Sequence, residues 1–139
     1  MAGEGWSVTS LDELPTLDFE DQPQWKPVRH RLGIEAFGVN AFLGADAGAE
    51  VIEEHDELGD DGDQEELYFV AAGRATFTVD GDRVDAPAGT FVALRDPALR
   101  RVAVAEEAGT VVLAVGGVRG RGFTPSGWEL RRVGDLPAA

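Results

Sequence analysis

Glu66-Leu67-Tyr68-Phe69-Val70-Ala71-Ala72-Gly73-Arg74-Ala75-Thr76-Phe77-Thr78-Val79-Asp80-Gly81 reads as two strands and their turns. Residues 67–72 and 75–79 are apolar runs of strand length, rich in aromatic and β-branched side chains, separated at Gly73. The stretch 66–81 therefore reads as a hairpin. Asp80-Gly81 carries the chemistry of a further tight turn, because glycine supplies the positive φ that such turns demand. Side chains alternate along a strand, so Glu66, Tyr68 and Val70 share one face while Leu67, Phe69 and Ala71 share the other.

The same texture extends in both directions. Residues 37–44, 50–54, 90–94, 102–105 and 110–115 are short apolar runs, and Ala108-Gly109 again has hairpin-turn chemistry. No stretch sustains a 3.6-residue period beyond two turns, and many short strands at close spacing predict an all-β sandwich or barrel. Residues 1–28 form an N-terminal arm punctuated by Pro15, Pro23 and Pro27, with Trp6 and Trp25 large enough to anchor it on the body or on a partner subunit. Residues 29–118 form the barrel domain. Residues 119–139, with Trp128, form a C-terminal extension that packs on the barrel, adding a strand or covering an edge.

Composition removes several classes of function. A chain of 139 residues fits one domain, and 43% apolar content is too high for a disordered acidic segment. With 26 Asp and Glu against 12 Lys and Arg, the net charge of -14 argues against nucleic acid and against an anionic membrane surface. The absence of cysteine removes disulfides, thiolate metal sites and a cysteine nucleophile. No apolar run approaches a membrane span and the first residues lack signal-peptide character, so a soluble cytoplasmic protein is expected. A Gly-x-Ser-x-Gly elbow, a phosphate-binding loop and a dinucleotide fingerprint are all missing.

The acids are unevenly placed. Eleven of the 26 fall between Asp46 and Glu66, and no Lys or Arg occurs from Leu32 to Gly73. Residues 56–66 crowd oxygen ligands, but counting from Asp56 puts Asp61 where a calcium-binding EF-hand loop requires glycine, so the segment reads as a solvated acidic loop. An acidic mouth favours cationic or neutral ligands and repels anions, unless a metal or an arginine such as Arg95 intervenes.

Two blocks resemble the cupin superfamily. Its first motif carries His-x-His, then a glutamate and, after six intervening residues, a glycine; here stand His55-x-Glu57, Glu66 and Gly73. Its second motif runs from a glycine through Pro-x-Gly to a histidine; here stand Gly81, Pro87-Ala88-Gly89 and, in the histidine's place, Val92. The resemblance implies a single-domain, jelly-roll-like cupin β-barrel, dimerisation as a homodimer, and a pocket lined by Asn40, Glu53, Tyr68, Val70, Thr90, Val92 and Leu94. It also implies that His55, Glu57 and Glu66 converge as candidate ligands of a divalent metal (Mn, Fe, Mg or Zn).

Three readings of function follow. The first is a cupin that binds a small molecule in the barrel through a site whose metal set has decayed. The second is a metal-dependent enzyme of dioxygenase or isomerase type, using His55, Glu57 and Glu66 with Tyr68 as a candidate acid. The third is a structural dimer without pocket chemistry. His30 completes a two-histidine site only if it reaches the pocket. Asn40, polar in an apolar strand, either lines a cavity or bonds across an edge.

Overall fold

The computed structural model describes residues 2–20, 22–59 and 63–137. Asp60, Asp61 and Gly62 of the acidic loop lie outside the described residues. The chain opens with a small hairpin, β1 (Ala2–Gly3) and β2 (Trp6–Ser7), then β3 (Gln24–Lys26) and helix α1 (Val28–Leu32). Strands β4 (Gly38–Gly44), β5 (Glu50–His55), β6 (Glu65–Ala72), β7 (Arg74–Val79), β8 (Asp82–Pro87), β9 (Phe91–Leu94), β10 (Arg101–Ala105) and β11 (Thr110–Gly117) follow, and helix α2 (Gly127–Val133) closes the chain. Among the described residues no helix is long and apolar enough to cross a membrane.

Two antiparallel sheets enclose the core. One runs β3-β4-β11-β6-β9 and the other β5-β10-β7-β8. Tyr68, Val70, Leu94 and Val112 from the first meet Val51, Ile52, Phe77 and Ala103 from the second, all buried. The alternation read from sequence holds: Tyr68 and Val70 face this core, and the Tyr68 ring lies 5.4 Å from that of Phe77 across the sheets. From β4 onward each strand feeds the opposite sheet except at the β7–β8 hairpin, which is the jelly-roll arrangement expected of an all-β barrel.

The link between β6 and β7 corrects the hairpin reading. The two strands belong to different sheets, and Gly73 marks the crossing. Its φ is +73°, and a Cβ there would lie 2.4 Å from Thr110 Oγ1 and 2.8 Å from Thr110 Cα. Buried Thr110 occupies that space because its hydroxyl accepts from the Arg74 N–H at 3.2 Å and donates to the Glu107 carbonyl at 2.7 Å. The Pro87-Ala88-Gly89 turn locks the same corner: Ala88 N–H donates to the Gly73 carbonyl and Gly89 N–H to that of Val70. Ala108-Gly109 likewise joins strands of different sheets. Asp80-Gly81 is a true two-residue hairpin turn, both residues at positive φ, with Val79 paired to Asp82.

The tryptophans of the terminal segments are placed differently. Trp25 is fully buried, its strand β3 paired to β4, whereas Trp6 is 53% exposed and does not anchor the arm on its own chain. Among its described residues the C-terminal extension forms α2 and no strand. Ser126 caps it, its Oγ accepting from the Glu129 N–H, and Trp128 stacks on Trp25 with centroids 4.8 Å apart.

Candidate functional site

A cavity of about 360 Å³ opens between the barrel end and α2. Its inner wall is polar and comes from β5, the residue two beyond it, and β6. The β5–β10 register pairs His55 with Arg101 and Ile52 with Ala103, so β5 carries one extra residue at Glu53-Glu54. That bulge turns both glutamates toward the cavity beside His55 and Glu57.

His55, Glu57 and Glu66 converge, with one potential ligand atom from each lying within 4.8 Å of the others. His55 Nε2 is 2.8 Å from Glu57 Oε1 and 3.6 Å from Glu66 Oε1. Its Nδ1 faces the Glu53 carbonyl at 2.6 Å, a contact that only an N–H can make. Both ring nitrogens thus face acceptors. Burial alone lowers the imidazolium pKa, but hydrogen bonds to Glu57, Glu66 and the Glu53 carbonyl outweigh it and raise the group to about 10. Burial pushes Glu57 up to about 7 against the opposing pull of His55. Glu66 is held below the usual carboxylate range, because hydrogen bonds from His55 and Tyr68 outweigh its own burial.

A fourth group, missed by the sequence reading, completes the cluster. Arg101 Nη1 donates to Glu66 Oε1 at 2.8 Å and lies 3.6 Å from Glu57 Oε1. Its Nε donates to the Leu99 carbonyl at 2.9 Å, and its side chain is 0% exposed. The Tyr68 hydroxyl also donates to Glu66 Oε1, and burial together with that carboxylate raises the phenol well above its ordinary range. His55, Glu57, Arg101 and Glu66 therefore alternate cation and carboxylate around a closed ring.

These residues can be weighed against the divalent metal that the fold implies. The convergence is suitable, but Glu66 Oε1 already accepts from Arg101 and Tyr68. An ion about 2.1 Å from that oxygen would lie no more than about 5 Å from Arg101 Nη1. Repulsion between such charges is ~7 kcal/mol at an effective dielectric near 20, a large fraction of the ~10–16 kcal/mol that complete structural zinc sites supply. With Arg101 in place, the donor set does not fit a resident divalent ion.

The outer wall comes from β4 and the C-terminal extension. Asn40 Nδ2 donates to Glu129 Oε1 at 2.8 Å, and Arg29 Nε donates to Glu129 Oε2 at 2.7 Å, which fixes α2 against α1 and β4. Asn40 Oδ1 is buried without a partner. Phe42, Phe123 and Trp128 supply the apolar lining.

Of the residues expected to line the pocket, Asn40, Glu53 and Tyr68 do so. Val70, Thr90, Val92 and Leu94 do not: Val70 and Leu94 are core residues, Val92 packs against the core opposite Tyr68, and the Thr90 backbone is tied into the Pro-x-Gly turn. Strand alternation assigns the inward face correctly but cannot say how deep in the barrel the cavity ends. His30 is elsewhere, bonding the Leu136 carbonyl at 2.6 Å. Arg95 is exposed, and Arg101 is the arginine that enters the site.

Two jelly-roll sheets with a polar cavity at one end make up the β-barrel. Solved structures show that the chain has the cupin fold. It superposes on KdgF from Halomonas at a TM-score of 0.64 and 20% identity, covering 79% of this chain and 93% of that one. A cupin-superfamily sugar phosphate isomerase from Silicibacter pomeroyi gives 0.65 and 17%, covering 81% and 76%. A cupin 2 conserved barrel domain protein from Salinispora arenicola gives 0.62 and 22%, covering 81% and 89%. No protein-family model and no curated protein matches the sequence.

Proposed function

We propose that this protein binds a small neutral or cationic molecule, rich in hydrogen-bond donors, in the cavity under α2. The observation that carries the reading is the polarity of the wall. Glu53, Glu54, Glu57, Glu66 and Glu129 line it with the Asn40 Oδ1 acceptor. His55 is the one cation in the lining, and no Lys or Arg is among the described lining residues. Arg29 and Arg101 pair with Glu129 and Glu66 from behind the wall, so acceptors predominate at its face. Such a wall accepts hydroxyl or ammonium donors and repels phosphate and carboxylate. A polyol or amino sugar suits it better than a sugar phosphate, the compound class in the name of one structural neighbour.

The test is a calorimetric panel of matched pairs, a neutral sugar against its phosphate and its aldonate. Saturable heat from the neutral or amino members, lost when Ala114→Leu fills the cavity, is the expected result. Binding confined to the phosphorylated or carboxylated members would overturn the reading.

The proposal extends to a cytoplasmic homodimer. On the outer face of the five-stranded sheet, Leu67, Phe69, Phe91, Leu113 and Val115 form an apolar surface. Phe69 and Phe91 rings lie 4.5 Å apart, and Phe91 is 65% exposed.

A further inference from the structure

We infer that Arg101 is the resident cation of this site, its guanidinium doing the work of a divalent ion and closing the site to one. The inference stands on placement and does not depend on which ligand the cavity takes.

Arg101 opens β10 and is the cross-strand partner of both His55 and Val79, so its stem enters between β5 and β7 in the interior of the barrel. A surface arginine samples many rotamers, whereas this one is wholly enclosed and held at two nitrogens of its head group, Nε by the Leu99 carbonyl and Nη1 by Glu66, while its buried Nη2 has no hydrogen-bond partner among the described residues. The four ring contacts alternate 2.8, 3.6, 2.8 and 3.6 Å between positive and negative groups. Two carboxylates are thus balanced inside the chain. Guanidinium remains protonated at any pH the fold survives, and Nη1 alone faces both carboxylates. The result is a hydrogen-bonding centre. Arg101 and Tyr68 hold Glu66 still as an acceptor, and His55 holds Glu57 at the cavity wall. Arg101 is a positioning residue: it does not line the cavity and acts through the two carboxylates.

The experiment is a manganese titration of protein without a polyhistidine tag, read by loss of the free-ion electron paramagnetic resonance signal. The wild type is expected to take up no Mn²⁺ below roughly 1 mM. Arg101→Met, which keeps much of the stem volume but removes the charge, should bind one ion per chain at least ~100-fold more tightly. Adding His55→Ala to that variant should abolish the uptake. Stoichiometric uptake by the wild type, lost in His55→Ala, overturns the inference, as does a folded Arg101→Met protein that ignores the ion. Nuclear magnetic resonance of the wild type gives a reading that requires no variant to fold. The Arg101 Nε–H and His55 ring signals should stay sharp when Mn²⁺ is added, and their selective broadening would show an ion in the ring.

Discussion

Arg101 and Glu66 form a 2.8 Å ion pair in which the arginine side chain has no contact with solvent, although it lies 35 residues away along the chain. Breaking a buried pair by removing one partner leaves the other charge uncompensated, at a typical cost of about 3–5 kcal/mol. Arg101→Ala should lower stability by that order in urea unfolding, and Glu66→Gln should recover part of the loss when added to it. A loss under ~0.5 kcal/mol for Arg101→Ala would show that the pair contributes nothing to folding.

The His55 shift sets an alkaline dependence of stability. Its folded pKa is raised from 6.5 to about 10, so the contribution is fully present below pH 6.5 and is lost as pH rises toward 10. Glu57, raised from 4.5 to about 7, adds a loss of the same sign across the lower window. Glu66, shifted down, acts oppositely, its contribution being present above pH 4.5 and lost in stronger acid. The urea midpoint should therefore fall between pH 6.5 and 9.5, and His55→Gln should flatten that limb. A wild-type midpoint that is level or rising over this range contradicts the assignment.

Gly73 separates backbone strain from crowding. Gly73→Ala meets both the positive φ and the Thr110 atoms at 2.4 and 2.8 Å, and a loss of about 3 kcal/mol or more is expected. Gly48→Ala, at φ +88° with nothing within 4 Å of the added Cβ, meets only the first and should lose about 1 kcal/mol. Equal losses at the two positions would remove Thr110 from the account of the corner.

The homodimer is tested at Phe91. Sedimentation should give twice the chain mass of 14.8 kDa for the wild type and a single chain for Phe91→Asp. A wild type that sediments as one chain at high concentration rules out the apolar face as an interface between copies.

Much of the barrel was legible because its strands announce themselves as apolar runs, and because His55, Glu57 and Glu66 lie on faces that alternation assigns. Connectivity was less legible. Gly73 and Ala108-Gly109 have turn chemistry whether the chain folds back on its neighbour or crosses to the other sheet, and only tertiary packing decides. Arg101 carried a signal that went unused: it shares a strand face with Ala103 and Ala105, both buried, so alternation alone points it inward. The helix at the cavity mouth had one too, in Ser126-x-x-Glu129, a helix-start pattern. Here Glu129 turns from the cap to Arg29 and Asn40, a long-range choice that no local pattern contains.

Trp128 lines the cavity while stacked on buried Trp25, and Trp6, the third tryptophan of the chain, stands in the exposed β1–β2 hairpin and is not among the lining residues. One wall of the cavity is therefore also half of a stacked indole pair, Trp128 at the lining and Trp25 buried behind it. If the proposed ligand enters, it displaces solvent from the Trp128 side of this stacked pair, and a shift in indole emission is the expected sign of occupancy. With Trp6→Phe clearing the background, unlabelled protein becomes its own optical sensor, and a ligand can be sought by colour of emission before its chemistry is known.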